Sequence, residues 1–276
     1  MNADLHCHSN VSDGVLSPAQ AAARARAAGV TLWALTDHDT LAGQDEARQA
    51  AQALGMSYLC GVEISVTWAA RTIHIVGLHV DPNCAALATG LRALCEGRMQ
   101  RARAIGDALE RLGVPNAYEG ALQYVTSPTL ISRTHFARYL VKQGMAASIS
   151  DVFGRFLGDG KPGYVPHRWA SLADALNWIK QAGGEAVIAH PGRYPYTPLQ
   201  YDALFGQFID LGGKAIEVVT GSHTPDQYQE YADVARRFGF EASRGSDFHA
   251  PGEGRADLGS LPPLPAGLKP VWERWL

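Results

Sequence analysis

Cysteine, charge and long apolar runs are all in short supply in this 276-residue chain. The four cysteines, Cys7, Cys60, Cys84 and Cys95, form no C-x-x-C pair. That argues against a disulfide-framed secreted fold and fits reduced, mostly buried thiols in a cytoplasmic protein. No apolar run approaches the roughly 20 residues that span a bilayer, so no membrane association is expected. The chain enters Asp4-Leu5-His6-Cys7-His8 without a basic start or an apolar stretch, which argues against a secretory leader. Charged residues make up 18% and the net charge is −3, a poor match to a general nucleic-acid binder. There is no internal repeat and no low-complexity segment. What remains is ordinary globular composition, 46% hydrophobic, enough for one large α/β domain with an insertion.

The charge is unevenly placed. Between Arg92 and Arg168, 11 Lys/Arg stand against six Asp/Glu, so the rest of the chain carries −8. An acidic body suits cations and a basic segment suits an anionic substrate. The Arg-rich helix GRMQRARAIGDALERL is itself read as a solvated face.

The chain begins with a strand over Leu5–His8. A helix opens at Ser17-Pro18 and stops at Gly29. TLWALT is a strand ending in Asp37-His38-Asp39, and a helix runs from Gln44 to Leu54. SYLCGVEIS carries Glu63 and TIHIVGLHV carries His74. This rhythm predicts parallel strands with crossover helices and a site at the strand C-terminal ends. From about Leu87 to Leu157 the pattern is helical only, an inserted cap. The rhythm then resumes. EAVIAHPGRY carries His190, KAIEVVTG carries Glu217, and FEASRGSDFHAP carries Asp247 and His249. The Pro-rich tail is expected to wrap the surface. Seven strands in the body predict a parallel barrel with fewer than eight. The expected division is 1–86 and 164–276 for the barrel and 87–163 for the cap.

Collected, the chemistry-bearing residues near strand ends are His6, His8, Asp13, Asp37, His38, Glu63, His74, His190, Asp247 and His249. Strand alternation puts His6 and His8 on one face and Cys7, a core thiol, on the other. Six of the ten histidines fall in this set. Mixed imidazole and carboxylate donors suit Mn²⁺, Fe²⁺ or Zn²⁺ better than a structural thiolate zinc site. The donors are too many for one ion, so two or three divalent ions are expected, with Glu63 placed to bridge. Such ions activate a water and stabilise charge on a transferring phosphoryl group. Asp37 is either a ligand or the group that orients His38. Asp39 reads as a turn residue, and Glu217 as a ligand or a supporting group. His79, His167 and His223 read as surface or packing residues.

The segments DLHCHSNVSDG, LTDHDTLAG, GVEIS, HIVGL, AHPGRY and GSDFH, in that order, resemble the PHP family, the polymerase and histidinol phosphatase family. The resemblance implies a distorted seven-stranded (β/α)7 barrel with a trinuclear metal site at its mouth. Its ligands would fall on His6, His8, Asp13, His38, Glu63, His74, His190, Asp247 and His249. ISRTHFARYLVKQG and FGRFLGDGKPGYVP further resemble the cap of a stand-alone bacterial subfamily. Members of that subfamily act as 3′,5′-nucleotide bisphosphate phosphatases, some also as 5′-to-3′ exonucleases on short RNA. The usual first segment is closer to I-G-R-P-H-I-A. Here Ser132 and Thr134 replace Gly and Pro, while Arg133 and His135 are kept.

The expected activity is therefore a metal-dependent phosphoesterase that converts adenosine 3′,5′-bisphosphate to AMP and phosphate. Short RNA is a further candidate substrate. Arg133 offers a fork suited to phosphate and His135 a second donor. Arg193 and Arg244 flank strand ends and are expected at the same mouth. Asp13, His190 and Asp247 are the candidate catalytic groups, with His190 or Asp247 as candidate proton donor. Tyr118, Tyr124, Tyr164 and Phe136 are candidate faces for a base. The alternatives are another phosphomonoester such as histidinol phosphate, a carbonyl substrate, or a non-catalytic metal-binding module.

Overall fold

The computed structural model describes residues 1–275. Seven strands lie in sequence order in one sheet: β1 (Ala3–Asp4), β2 (Leu32–Leu35), β3 (Ser57–Trp68), β4 (Arg71–Leu78), β5 (Glu185–Ile188), β6 (Ala215–Thr220) and β7 (Glu241–Gly245). The sheet curls back on itself. Leu5 N donates to Arg244 O at 3.0 Å, Asp247 N to His6 O at 2.8 Å and His8 N to Phe248 O at 2.8 Å. Gly245 permits this seam, because a Cβ there would collide with His6. The result is the nearly closed seven-stranded α/β barrel expected from the sequence.

One strand corrects the parallel reading. β4 runs antiparallel to both β3 and β5, while the other neighbouring pairs are parallel. β3 continues to Trp68 and turns straight into β4 through Ala69 and Ala70, with no crossover helix. Both turn residues have positive φ, 45° and 60°. A two-residue turn of this kind matches strand twist, but it favours Asn and Gly over Ala. The reversal pairs His74 with Ser65, two residues beyond Glu63 on β3. Left-handed backbone costs a non-glycine residue about 1–2 kcal/mol, partly offset by the extra chain entropy glycine loses on folding. Ala70→Gly is therefore expected to raise Tm by about 2 °C in a calorimetric melt, with activity unchanged. A lowered Tm would contradict this.

The helices divide into two sets. α1 (Pro18–Ala27), α2 (Gln44–Ala53), α7 (Leu172–Gln181), α8 (Pro198–Asp210) and α9 (Pro225–Phe238) accompany the barrel strands. α3 (Ala85–Arg111), α4 (Ala117–Leu122), α5 (Arg133–Lys142) and α6 (Ile149–Val152) lie in the cap region. Period-2 alternation sorts the strand residues. Leu32 and Ala34 of β2 join Val76, Leu78 and Val187 in one cluster, while Trp33 and Leu35 face α1 and α2. The tail does more than wrap the surface. Val271 and Trp272 are buried in that first cluster, and Pro270 bridges to Ala242 of β7.

The cap has its own core, including Ile105, Leu109, Phe136, Leu140, Val152 and Leu157. α3 serves both cores. Leu87, Leu91 and Leu94 pack on the barrel, and Ala102, Ile105 and Leu109 pack in the cap. The expected boundary at residue 87 thus falls inside one 27-residue helix. Among the described residues, no helix is long and apolar enough to cross a membrane.

Candidate metal centre and active-site cavity

All nine residues expected to hold metal converge at the barrel mouth. Three overlapping groups of donor atoms form around His6 and Glu63: His6 with Glu63 and His190, His6 with His8 and Asp247, and His38 with Glu63 and His74. A fourth unites His8, Asp13, His38 and His249. Glu63 is fully buried and lies at the centre. Its Oε1 is 2.9 Å from His74 Nδ1, 3.0 Å from His190 Nε2 and 3.3 Å from His6 Nε2. Its Oε2 is 2.8 Å from His38 Nδ1 and 3.3 Å from His8 Nε2. One carboxylate therefore touches five imidazoles, as a bridging group would.

The chemistry of this set fits cations. Buried polar atoms almost always have partners. Yet His8 Nδ1, Asp13 Oδ1, His38 Nδ1, Glu63 Oε2, His74 Nδ1 and His190 Nδ1 form no hydrogen bond. His6 Nε2 and His8 Nε2 face each other at 3.2 Å, an arrangement that needs a proton or a cation between them. Burial pushes Asp13, Glu63 and Asp247 upward, but the neighbouring imidazole charges outweigh it and hold all three well below the usual range. Burial and the charges of His249 and His38 push His8 down to about 3, and burial with Arg193 does the same to His190. Burial also acts downward on His6, His38 and His249, but the surrounding carboxylates hold these three up, His249 at about 9. Ionised carboxylates and neutral imidazoles are the ligating forms, so a cation binding here would displace the protons from these three rings.

Other groups hold the ligands in place. Glu217 accepts from His190 N at 2.6 Å and pairs with His6 Nδ1 at 2.8 Å, which makes it a support for two ligands. Asp37 lies outside the donor groups. It accepts from Ser9 N, Ser9 Oγ and Ser12 Oγ at 2.6–2.7 Å and so fastens the loop carrying His8 and Asp13. Asp39, His190 and Asp247 all have positive φ, of 52°, 28° and 53°. Backbone of this kind costs about 1–3 kcal/mol and gathers at functional sites.

The centre opens into a cavity of about 570 Å³ bordered by both barrel and cap. Arg98, Arg101, Arg133, Arg193 and Arg255 line it, with Phe153 and Trp169. Two α3 arginines correct the solvated-face reading, since Arg98 and Arg101 are 6% and 9% exposed, while Arg103 and Arg111 are exposed as expected. Arg98 is neutralised by Asp39 at 2.5 Å. Among the described residues, Arg101 has no carboxylate partner. Its Nε donates to Val165 O at 2.9 Å and its Nη2 is buried without a partner. Among the described residues, the polar partners of Arg133 are Leu157 O at 3.2 Å and Asp159 at 3.6 Å. Burial pushes both Arg101 and Arg133 below the usual arginine range, and at Arg101 the charge of Arg133 adds to it. Two poorly neutralised guanidiniums side by side have the chemistry to suit an anion.

Several substrate expectations need correction. Arg244 does not reach the cavity. It is 4% exposed and donates to Asn2 Oδ1, Ala3 O and Leu261 O, tying the seam to the tail. His135 is fully buried, and its Nδ1 accepts from Ser132 N at 2.9 Å, capping its own helix. Burial pushes its imidazole down to about 4. Phe136 lies in the cap core, with Tyr118 and Tyr124 packed against it. Tyr164 faces the guanidiniums of Arg101 and Arg133, each at 5.8 Å. Phe153 and Trp169 are instead the aromatic groups that border the cavity. Phe153 enters on a π-helical turn that continues α6. Of the remaining histidines, His79 stacks on Trp275, His167 packs on Trp169, and His223 is buried, with its Nε2 accepting from Gly192 N.

A sequence profile of the PHP domain matches residues 4–181. The chain belongs to the PHP family. One relative, a 3′,5′-nucleoside bisphosphate phosphatase of Chromobacterium violaceum, is 49% identical over 98% of this chain and 95% of its own. A 5′-3′ exoribonuclease of Haemophilus influenzae is 45% identical over 99% of this chain and 98% of its own. A solved structure of an amidohydrolase from Chromobacterium violaceum, with bound sulfate and no metal, superposes with a TM-score of 0.96. It is 48% identical and covers 99% of this chain and 95% of that one. These matches span the cap as well as the barrel.

Proposed function

We propose that this protein is a metal-dependent phosphoesterase that removes the 3′-phosphate from nucleoside 3′,5′-bisphosphates. Adenosine 3′,5′-bisphosphate would yield AMP and phosphate. The observation that carries this reading is the joining of two sites in one cavity. A nine-donor centre suited to metal lies beside buried arginines that have too few anionic partners. A substrate with one reacting and one non-reacting phosphate satisfies both. The named activity of the Chromobacterium violaceum relative is of this kind.

Two or three divalent ions, Mn²⁺ foremost, would be held by His6, His8, Asp13, His38, Glu63, His74, His190, Asp247 and His249, and would supply Lewis acidity and an activated water. Arg101 and Arg133 bind the distal 5′-phosphate and fix the substrate's register. Trp169 and Phe153 offer flat apolar faces for the base. Water adds at phosphorus, the bond to the 3′-oxygen breaks, and that oxygen takes up a proton. Asp13 and Asp247, ionised, and His190, neutral, border the cavity as acceptors for the proton of the attacking water. None of them is in its acid form, so the expected donor role of His190 or Asp247 passes to solvent water, which protonates the leaving oxygen. Arg193, 3.1 Å from Asp247 Oδ2, balances its charge at the rim.

Short 5′-phosphorylated RNA is a second substrate under this reading. Arg255 adds positive charge to the cavity beyond the pair that one distal phosphate needs. The test is phosphate release from adenosine 3′,5′-bisphosphate by Mn²⁺-loaded protein, with AMP and a short 5′-phosphorylated RNA alongside. Release from the bisphosphate with AMP left intact is the expected result. Mononucleotide release from the RNA would add the exonuclease activity. Inertness on all three with metal bound would overturn the reading and direct attention to histidinol phosphate and carbonyl substrates.

A further inference from the structure

We infer that Ser132 and Arg138, both brought by the cap, are positioning residues for the Asp13 side of the metal centre. The inference rests on the metal-dependent reading above. Asp13 divides its two oxygens between different tasks. Oδ1 has no hydrogen-bond partner and lies 3.3 Å from His249 Nε2, 3.8 Å from His38 Nε2 and 3.9 Å from His8 Nδ1. Oδ2 accepts from Ser132 Oγ at 2.9 Å. The direction of that bond is fixed by chemistry. Ser132 is the N-cap of α5, and its Oγ already accepts from Thr134 N at 3.1 Å. An ionised carboxylate has no proton to give, so the hydroxyl proton goes to Asp13. This bond turns one carboxylate oxygen away and leaves Oδ1 facing the donor group.

Arg138, also on α5, secures the backbone on which Asp13 sits. Its Nη1 donates to Asp13 O at 2.7 Å. Its Nε and Nη2 grip the Glu253 carboxylate at 3.0 and 2.8 Å. Glu253 stands in the loop that follows His249, and its N–H donates to Ala250 O. One buried guanidinium, 8% exposed, thus clamps the two segments that carry Asp13 and His249. Both belong to the same donor group. The cap helix is in this way built into the metal centre as well as into the substrate pocket. Coupling of this sort is reciprocal, so metal binding must also favour the docked state of α5.

The experiment is calorimetric titration of Mn²⁺ into metal-free protein, without substrate. Groups that orient metal ligands are worth about 10–100-fold in affinity. Ser132→Ala and Arg138→Met are expected to weaken one binding step by that factor and leave the other steps unchanged. Ser132→Thr keeps a hydroxyl and is expected to bind as the wild type does. Hydrogen exchange in α5 should slow when Mn²⁺ saturates the wild type, and this slowing should shrink in Ser132→Ala. Should Arg138→Met fold poorly, the Ala and Thr variants at 132 decide the matter. Wild-type binding with Ser132→Ala within twofold at every step would overturn the inference alone, as would a Thr variant no better than Ala. Absence of Mn²⁺ binding by the wild type would overturn the metal-dependent reading together with it.

Discussion

Glu63→Ala is expected to lower phosphate release from adenosine 3′,5′-bisphosphate by about 10³-fold or more and to reduce bound metal. The factor corresponds to roughly 4 kcal/mol of lost charge stabilisation at the reacting phosphate. Glu63 is the one side chain within 3.3 Å of five imidazoles, and it uses both oxygens to do so. Its removal deletes a negative charge and leaves buried nitrogens facing a void. Glu63→Gln is the sharper variant, since it keeps the shape and removes only the charge. Rate and metal content are expected to fall together in both variants, with circular dichroism unchanged. Retention of metal and rate would remove Glu63 from the centre.

The second large effect concerns the arginine pair. Arg133→Ala and Arg101→Met are each expected to raise KM for the bisphosphate about 10–100-fold. Hydrolysis of a simple aryl phosphate should stay within about twofold. A rise in KM confined to the two-phosphate substrate marks binding that does not change between ground and transition states. Equal losses on both substrates would refute the assignment. Arg101→Met carries a second signature. Arg101 is a buried cation with no carboxylate partner among the described residues, so a shape-matched apolar side chain should fit the fold better. A Tm raised by roughly 2–4 °C, alongside the weakened KM, is the expected trade. A lowered Tm would mean that the charge is compensated in the free protein.

The donor set was legible because its signal is local. The H-x-H pair is read from two residues, although β1 itself stops at Asp4 and the expected strand over Leu5–His8 is reduced to a lone bridge from Cys7 to Phe248. Most of the other donors follow recognisable strands, while Glu63 and His74 lie inside β3 and β4. The second layer was less legible. Glu217 is flanked by Ile216 and Val218, and only the fold shows its carboxylate reaching His6 and His190. The direction of β4 was hidden for a related reason. An apolar run such as TIHIVGLHV carries no arrow, and its turn uses Ala69-Ala70 where Asn-Gly would have announced a hairpin. The arginines misled in both directions. Arg98 and Arg101 occur in a helix whose charge pattern looks solvated, and burial comes only from what covers it. Arg244 directly precedes Gly245-Ser246-Asp247, but its side chain runs to Asn2 and Leu261, away from the cavity. His135 follows Arg133 by two residues, and on a helix such neighbours do not share a face.

The double membership of α3 bears on how such caps can be exchanged. At about 1.5 Å per residue the helix is a strut about 40 Å long. One end is cemented into the barrel by Leu87, Leu91 and Leu94, and the other into the cap by Ile105 and Leu109. A chimera joined where β4 stops would carry a foreign half-strut into the barrel's own packing. A junction near Arg98 would keep each half with its native neighbours, but it would fall beside the Asp39 ion pair that fastens the strut to the catalytic mouth. Barrel and cap are thus expected to have diversified as a bonded pair, with changes on α3 constrained from both ends.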